Sequence, residues 1–218
     1  MKVVVKALMT GAVLTIGAGA AAQEIARPRQ ATPAQIEARQ QIAALETALE
    51  NAVQTGARML DQRLQALSAA NMVMLAGMSR ARGFRLDEYG VMFDVEFPSM
   101  RRSIVWSLQE LERANVGNSV RAAQSASSVQ PREIYQNEIT DALVNAIVDY
   151  PRSVGIAADE WLTVAARESV VVDRRFVNGP GEAPMTVILR IKGSDLQTLR
   201  EGKLTRDEAK KRVEIKHY

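Results

Sequence analysis

The amino-acid pattern predicts an α+β fold: a mostly antiparallel sheet of four or five strands packed with helices, preceded by a long N-terminal amphipathic helix. Two observations carry this. Apolar residues first recur at three- and four-residue intervals for some 35 residues, and further on they alternate in short runs bounded by turn residues.

The long helix starts at Thr32-Pro33, with Thr as N-cap and Pro at the first helical position. Its stripe runs through Ile36, Ile42, Leu45, Leu49, Val53, Leu60, Leu64 and Leu67, with Gly56 as a small member. Glu, Gln and Arg fill the other face. At 1.5 Å per residue such a helix is about 50 Å long. A stripe of this length is hidden either against its own domain or against another chain. Ile42, Leu45, Leu49, Val53, Leu60 and Leu64 are therefore the candidate partner-binding residues, although the spacing drifts from the strict heptad of a coiled coil.

From Met72 the chain reads as extended, and Tyr89 to Phe97 is a strand in which Val91, Phe93, Val95 and Phe97 alternate with Met92, Asp94 and Glu96. Gly83 and Gly90 mark the turn region of a hairpin between these stretches. Pro98 closes the strand, and Ser99 caps a short helix through about Arg113. Residues 114–130 are small and polar, which predicts a flexible segment. Pro131 opens a helix that ends at Tyr150-Pro151. Trp161–Arg167 and Met185–Lys192 are strands of a long-loop hairpin. Ser194 and Thr205 each cap a short helix, and Val213 and Ile215 lie on an edge strand. The domain reading is a leader over 1–22, the long helix over 23–70 and an α+β domain over 71–218.

The leader is a secretory signal. Lys2 and Lys6 precede an apolar run, Ala7 to Ile16, and Ala20 and Ala22 fit the A-x-A pattern for cleavage before Gln23. The run of about ten residues is too short for a span of about 20. Processing leaves about 196 residues with no transmembrane segment, in the periplasm or outside the cell. The 218-residue chain has no Cys, so disulfides, thiol nucleophiles and a lipid-anchored N-terminus are excluded. Its net charge of +3 falls by two when Lys2 and Lys6 leave, so no basic footprint for nucleic acid remains.

Chemistry-bearing residues are few. The one His, His217, stands next to the last residue, a poor place for a positioned imidazole. Asp94 and Glu96 share a strand face about 6.5–7 Å apart, a spacing that suits acid–base or hard-metal work. Asp87 is a third carboxylate nearby, and the three are the candidate catalytic residues of a periplasmic hydrolase. The competing explanation is a strand with one wet face. Met72, Met74 and Met78 are candidate soft-metal ligands, against a plain role in filling the core. Arg80, Arg82, Arg85, Arg101 and Arg102 form a basic stretch that suits anionic surfaces or a solvated hairpin end. Trp106 and Trp161 read as core anchors. The loop Gly179-Pro180-Gly181 lacks the Lys and the context of a phosphate cradle. No cofactor is expected.

The segments Ala81–Glu96 and Asp159–Arg167 resemble stretches of uncharacterised exported bacterial proteins. That resemblance implies export and no activity or site residue. The functional expectation is an exported, non-enzymatic envelope protein that acts by self-association or by binding a partner.

Overall fold

A computed structural model describes residues 32–67, 73–102, 130–150, 155–169 and 184–218. The leader, Met72, the segment 103–129 with Trp106, and the loop 170–183 with Gly179-Pro180-Gly181 lie outside the described residues. From Pro33 onward the chain belongs to one compact unit.

The fold is α+β, as its pattern predicts. Helix α1 spans Pro33–Ala66 and α2 spans Pro131–Asp149. Strands β2 (Arg80–Leu86), β3 (Gly90–Phe97), β5 (Trp161–Glu168), β6 (Thr186–Lys192) and β7 (Glu214–His217) make a five-stranded sheet in the order β2-β3-β5-β6-β7. Strands β1 (Val73–Ala76) and β4 (Ser99–Arg102) form a separate antiparallel pair. Two short helices, α3 (Gly193–Arg200) and α4 (Arg206–Arg212), stand between β6 and β7.

One face of the sheet is a row of fully buried side chains. Val91, Phe93 and Val95 lie in register with Leu162, Val164 and Ala166, these with Ile191, Leu189 and Val187, and Phe97 extends the row. They share one core with the stripes of α1 and α2, in which Leu45, Leu49, Val53, Ile139, Leu143 and Ile147 have no exposed surface. The two helices approach closely at Gly56, where a Cβ would meet the Glu138 carbonyl oxygen and Ile139 Cδ1 at 3.0 Å. Arg63 of α1 pairs with the buried Glu138 of α2 at the same contact.

Three expectations are corrected. Ser99 caps no helix: residues 99–102 are β4, and the Ser99 hydroxyl donates to Ala76 O at 3.1 Å across the β1–β4 pair. Pro98 has no N–H for a ladder bond, so the chain leaves the large sheet there and starts the small one. Gly83 is no turn residue but sits mid-strand in β2, opposite Phe93, and the turn is 87–89. The sheet is mostly antiparallel, as expected, with one central parallel pair, β3 with β5. Gly90 permits it: its φ is +122°, and a Cβ there would overlap the Trp161 carbonyl oxygen. Finally, α3 begins after Lys192 with no side-chain cap, so Ser194 lies inside its first turn.

The Thr205 cap is as expected. Its hydroxyl accepts from the Glu208 N–H while the Glu208 carboxylate takes the Thr205 N–H, a complete capping box. Among the described residues, no helix is long and apolar enough to cross a membrane.

Candidate functional site

The helices cover one face of the sheet, and the alternate side chains of the same strands form the other. Because register partners share a face, β2 contributes Arg80, Arg82, Phe84 and Leu86, and β3 contributes Met92, Asp94 and Glu96. Trp161, Thr163, Ala165 and Arg167 follow from β5, then Ile188, Arg190 and Lys192 from β6, and Glu214 and Lys216 from β7. Phe84 and Leu86 are 50% and 41% exposed, and Trp161, Met92, Ile188 and Arg190 are half-buried.

Cation–aromatic stacking organises the centre. Arg190 Cζ lies 4.2 Å from the Trp161 ring centroid and 6.0 Å from that of Tyr89, and Lys192 Nζ lies 5.4 Å from Trp161. The Tyr89 hydroxyl is bonded to Thr163 Oγ1 at 3.0 Å, which fixes the ring over the sheet. Arg190 Nε is buried with no hydrogen-bond partner in the described structure. The guanidinium is thus held by ring faces and keeps donor capacity.

The sequence-predicted carboxylates Asp94 and Glu96 are on this face. Arg167 Nη2 donates to Glu96 Oε1 at 2.7 Å and to Asp94 Oδ2 at 3.3 Å, so one guanidinium bridges both. Asp87 is not brought to them; it sits exposed in the β2–β3 turn. No group of three or more His, Asp or Glu side chains is arranged for a metal among the described residues.

Met74 and Met78 are 61% and 83% exposed, which overturns the core-filling explanation for both. Ile42, Leu45, Leu49, Val53, Leu60 and Leu64 face inward instead. Five of the six are at most 2% exposed and Ile42 is half-buried, so the chain's own core covers the stripe. Only its two ends, at Ile36 and Leu67, 47% and 50% exposed, lie outside that core. Of the basic stretch, Arg85 is engaged with Gly155 O at 2.7 Å and with Glu160 at 2.9 Å.

An open cleft of about 240 Å³ lies between α1 and the end of β2, lined by Glu37, Gln41, Ile42, Arg85 and Gly155. It is smaller than the usual 300–1,000 Å³ of a ligand pocket. Its polar groups already serve one another: Gln41 Oε1 takes the Gly155 N–H, and Arg85 takes the Gly155 carbonyl.

Glu168 is a carboxylate that pattern reading passes over. It is 7% exposed at the end of β5 and accepts the N–H groups of Met100 at 2.8 Å and Met185 at 3.1 Å, with Arg132 at 3.5 Å. It ties the small sheet to the large one. Beside it, burial pushes the Tyr135 phenol far above its ordinary range, Glu168 adds to the shift, and the hydroxyl donates to Pro98 O at 2.8 Å. Both residues serve the architecture.

The geometry defines an α+β domain with one sheet face that no described helix covers, an open face in that sense, paved with stacked aromatic and cationic side chains. No protein-family model matches the chain, and neither a curated protein nor a solved structure is significantly similar to it.

Proposed function

We propose that this chain is an exported, non-enzymatic envelope protein that acts by binding, and that its partner is a protein docked on the open face of the sheet. The single observation behind this is the Trp161–Arg190–Tyr89 stack at the centre of that face. Trp, Tyr and Arg are the residue types that dominate binding energy at interface centres, where a large rigid ring meets a directional donor. Around the stack, Phe84 and Leu86 supply exposed apolar surface.

Charge selects the partner's chemistry. Arg80, Arg82, Arg167, Arg190, Lys192 and Lys216 stand against Asp94, Glu96 and Glu214, and Arg167 already spans two of those acids. The surplus is positive, so the fitting surface carries acidic groups around an apolar patch. Export rests on the leader sequence, with Gln23 as the first mature residue.

The test is recovery of the tagged full chain from its native envelope, with N-terminal peptides and bound proteins read by mass spectrometry. The expected result is a chain beginning at Gln23 with a partner that is lost from an Arg82→Glu/Lys192→Glu variant of unchanged unfolding midpoint. Reversing acidic residues on that partner restores binding to the variant. A partner held equally well by the variant, or a chain kept intact in the cytosol, overturns the reading.

A further inference from the structure

The two outer strands of the five-stranded sheet differ in what their outward backbone groups meet. On β2, Ala81 N–H donates to Glu50 Oε1 at 2.9 Å and Gly83 N–H to Glu46 Oε1 at 2.6 Å, so α1 occupies that edge. On β7, Tyr218 N–H donates to Thr186 O at 2.9 Å and Thr186 N–H to Tyr218 O at 3.2 Å. Tyr218 therefore faces β6, and by the two-residue period of a strand so do Lys216 and Glu214, opposite Ile188 and Arg190. The N–H and C=O groups of Ile215 and His217 then turn away from the sheet. All four residues of β7 are exposed, with Ile215 at 43%.

We infer that β7 is a self-association edge, and that its occupant is β7 of a second copy of this chain. The run Glu214-Ile215-Lys216 carries opposite charges at equal distances from Ile215. A two-fold axis through Ile215 in an antiparallel pairing sets Glu214 opposite the partner subunit's Lys216, and Lys216 opposite the partner subunit's Glu214. These are non-hydrogen-bonded pairs, where side chains approach most closely. Ile215 meets its own copy in the hydrogen-bonded position, which matches the outward direction of its backbone groups. His217 N–H then reaches the partner subunit's Val213 carbonyl. A parallel pairing in the same register would set Glu214 against Glu214 and Lys216 against Lys216.

Capping of the opposite edge fixes the assembly's size. A sheet with two bare edges propagates into a filament, whereas one with a single bare edge closes as a two-fold dimer. With β2 occupied by Glu46 and Glu50, pairing through β7 stops at two copies and joins two five-stranded sheets into one. This inference goes beyond the open-face reading, and neither depends on the other.

The experiment is sedimentation velocity of the full mature chain over a hundredfold concentration range. The expected result is a monomer–dimer equilibrium with no larger species. Lys216→Glu and Glu214→Lys each set like charges opposite one another twice per dimer, and each weakens dimerisation about tenfold. The Glu214→Lys/Lys216→Glu double variant exchanges the charges and restores wild-type association, a rescue that a folding defect cannot give. Arg82→Glu/Lys192→Glu leaves the dimer intact, which separates this edge from the open face. A chain that stays monomeric throughout, a dimer indifferent to both single reversals, or a double variant weaker than either single overturns the inference.

Discussion

The two edges of the sheet handle the same physical hazard in opposite ways. At β2, two carboxylates from α1 take the outward N–H groups of Ala81 and Gly83. At β7, four exposed residues, with Glu214 and Lys216 of opposite charge on either side of Ile215, leave the edge without a cover among the described residues. An unpaired strand edge is a template for another strand, and both a covering helix and charged side chains are known ways to manage it. The geometry of the covered edge is economical. Glu46 and Glu50 are one helical turn apart, a rise of about 6 Å. Two strand residues span about 6.8 Å, so successive outward N–H groups of β2 meet successive turns of α1. Helix and strand run antiparallel here, since Glu46 meets Gly83 and Glu50 meets Ala81. The difference teaches that α1 has two duties: its apolar stripe builds the core, and its acidic margin seals an edge.

The strongest way to break that comparison is to unseat α1. Leu49 is fully buried in its stripe, and Leu49→Ala removes three carbons from a packed site and is expected to cost about 2–5 kcal/mol. Ile215→Ala on the bare edge, by contrast, should stay within about 0.5 kcal/mol at a protein concentration low enough to keep the chain monomeric, as surface substitutions do. Urea unfolding of both variants at fixed protein concentration checks the pair. Equal losses would show that the stripe of α1 is not held in the core as described.

A sharper probe leaves the core alone. Glu46→Ala and Glu50→Ala each deprive one part-buried strand N–H of its acceptor, at about 1 kcal/mol apiece. The Gln variants keep a side-chain oxygen and should lose less. Amide exchange at Ala81 and Gly83 is the direct readout: it should quicken in the Ala variants and stay unchanged at residues of β3. Unaltered exchange at both amides sinks the capping account.

Much of this architecture is legible in the chain because it is local. The three- and four-residue spacing from Ile36 to Leu67 marks α1, alternation from Val91 to Phe97 marks β3, and the Thr205–Glu208 spacing marks a capping box. What stays hidden is non-local. Nothing near Ser99 announces that it pairs with Ala76 across 23 positions, so a serine after proline reads as a helix cap. The parallel pairing of β3 with β5 bridges α2 and a long intervening segment, and the alternation of either strand is silent about its neighbour. For the same reason the candidate site is only half visible. Asp94 and Glu96 are found by spacing, but Arg167, which binds both, comes from a strand 71 positions away. Tyr89 comes from the β2–β3 turn and Trp161 and Arg190 from β5 and β6, and no short window of sequence contains all three. The long apolar stripe left two readings open, since periodicity shows that a face is buried without showing by what.

The smallest expected effect concerns how the β7 side is held. Arg206 of α4 donates through Nη2 to Asp149 Oδ2 at 2.7 Å and to Asn145 Oδ1 at 3.0 Å, clamping α4 onto α2 just before β7. The hydrogen bond from Arg206 holds the Asp149 carboxyl below its ordinary value of 3.8, against the opposing pull of its partial burial. A carboxyl with a depressed folded value stabilises the fold above its unfolded value. That contribution fades as pH falls below 3.8, because in this window the unfolded chain binds more protons at this position than the folded one. The pair is largely solvent-exposed, so screening keeps the effect small and high salt reduces it further. Urea midpoints measured from about pH 5 down to about pH 2 should therefore fall slightly less steeply in Asp149→Asn than in the wild type. Above about pH 5 the two curves should run parallel, offset by the lost ion pair. An acid limb of unchanged slope would mean that the clamp contributes no net electrostatic stability, leaving the packing of Ala209 and Val213 to seat α4 beside the open edge.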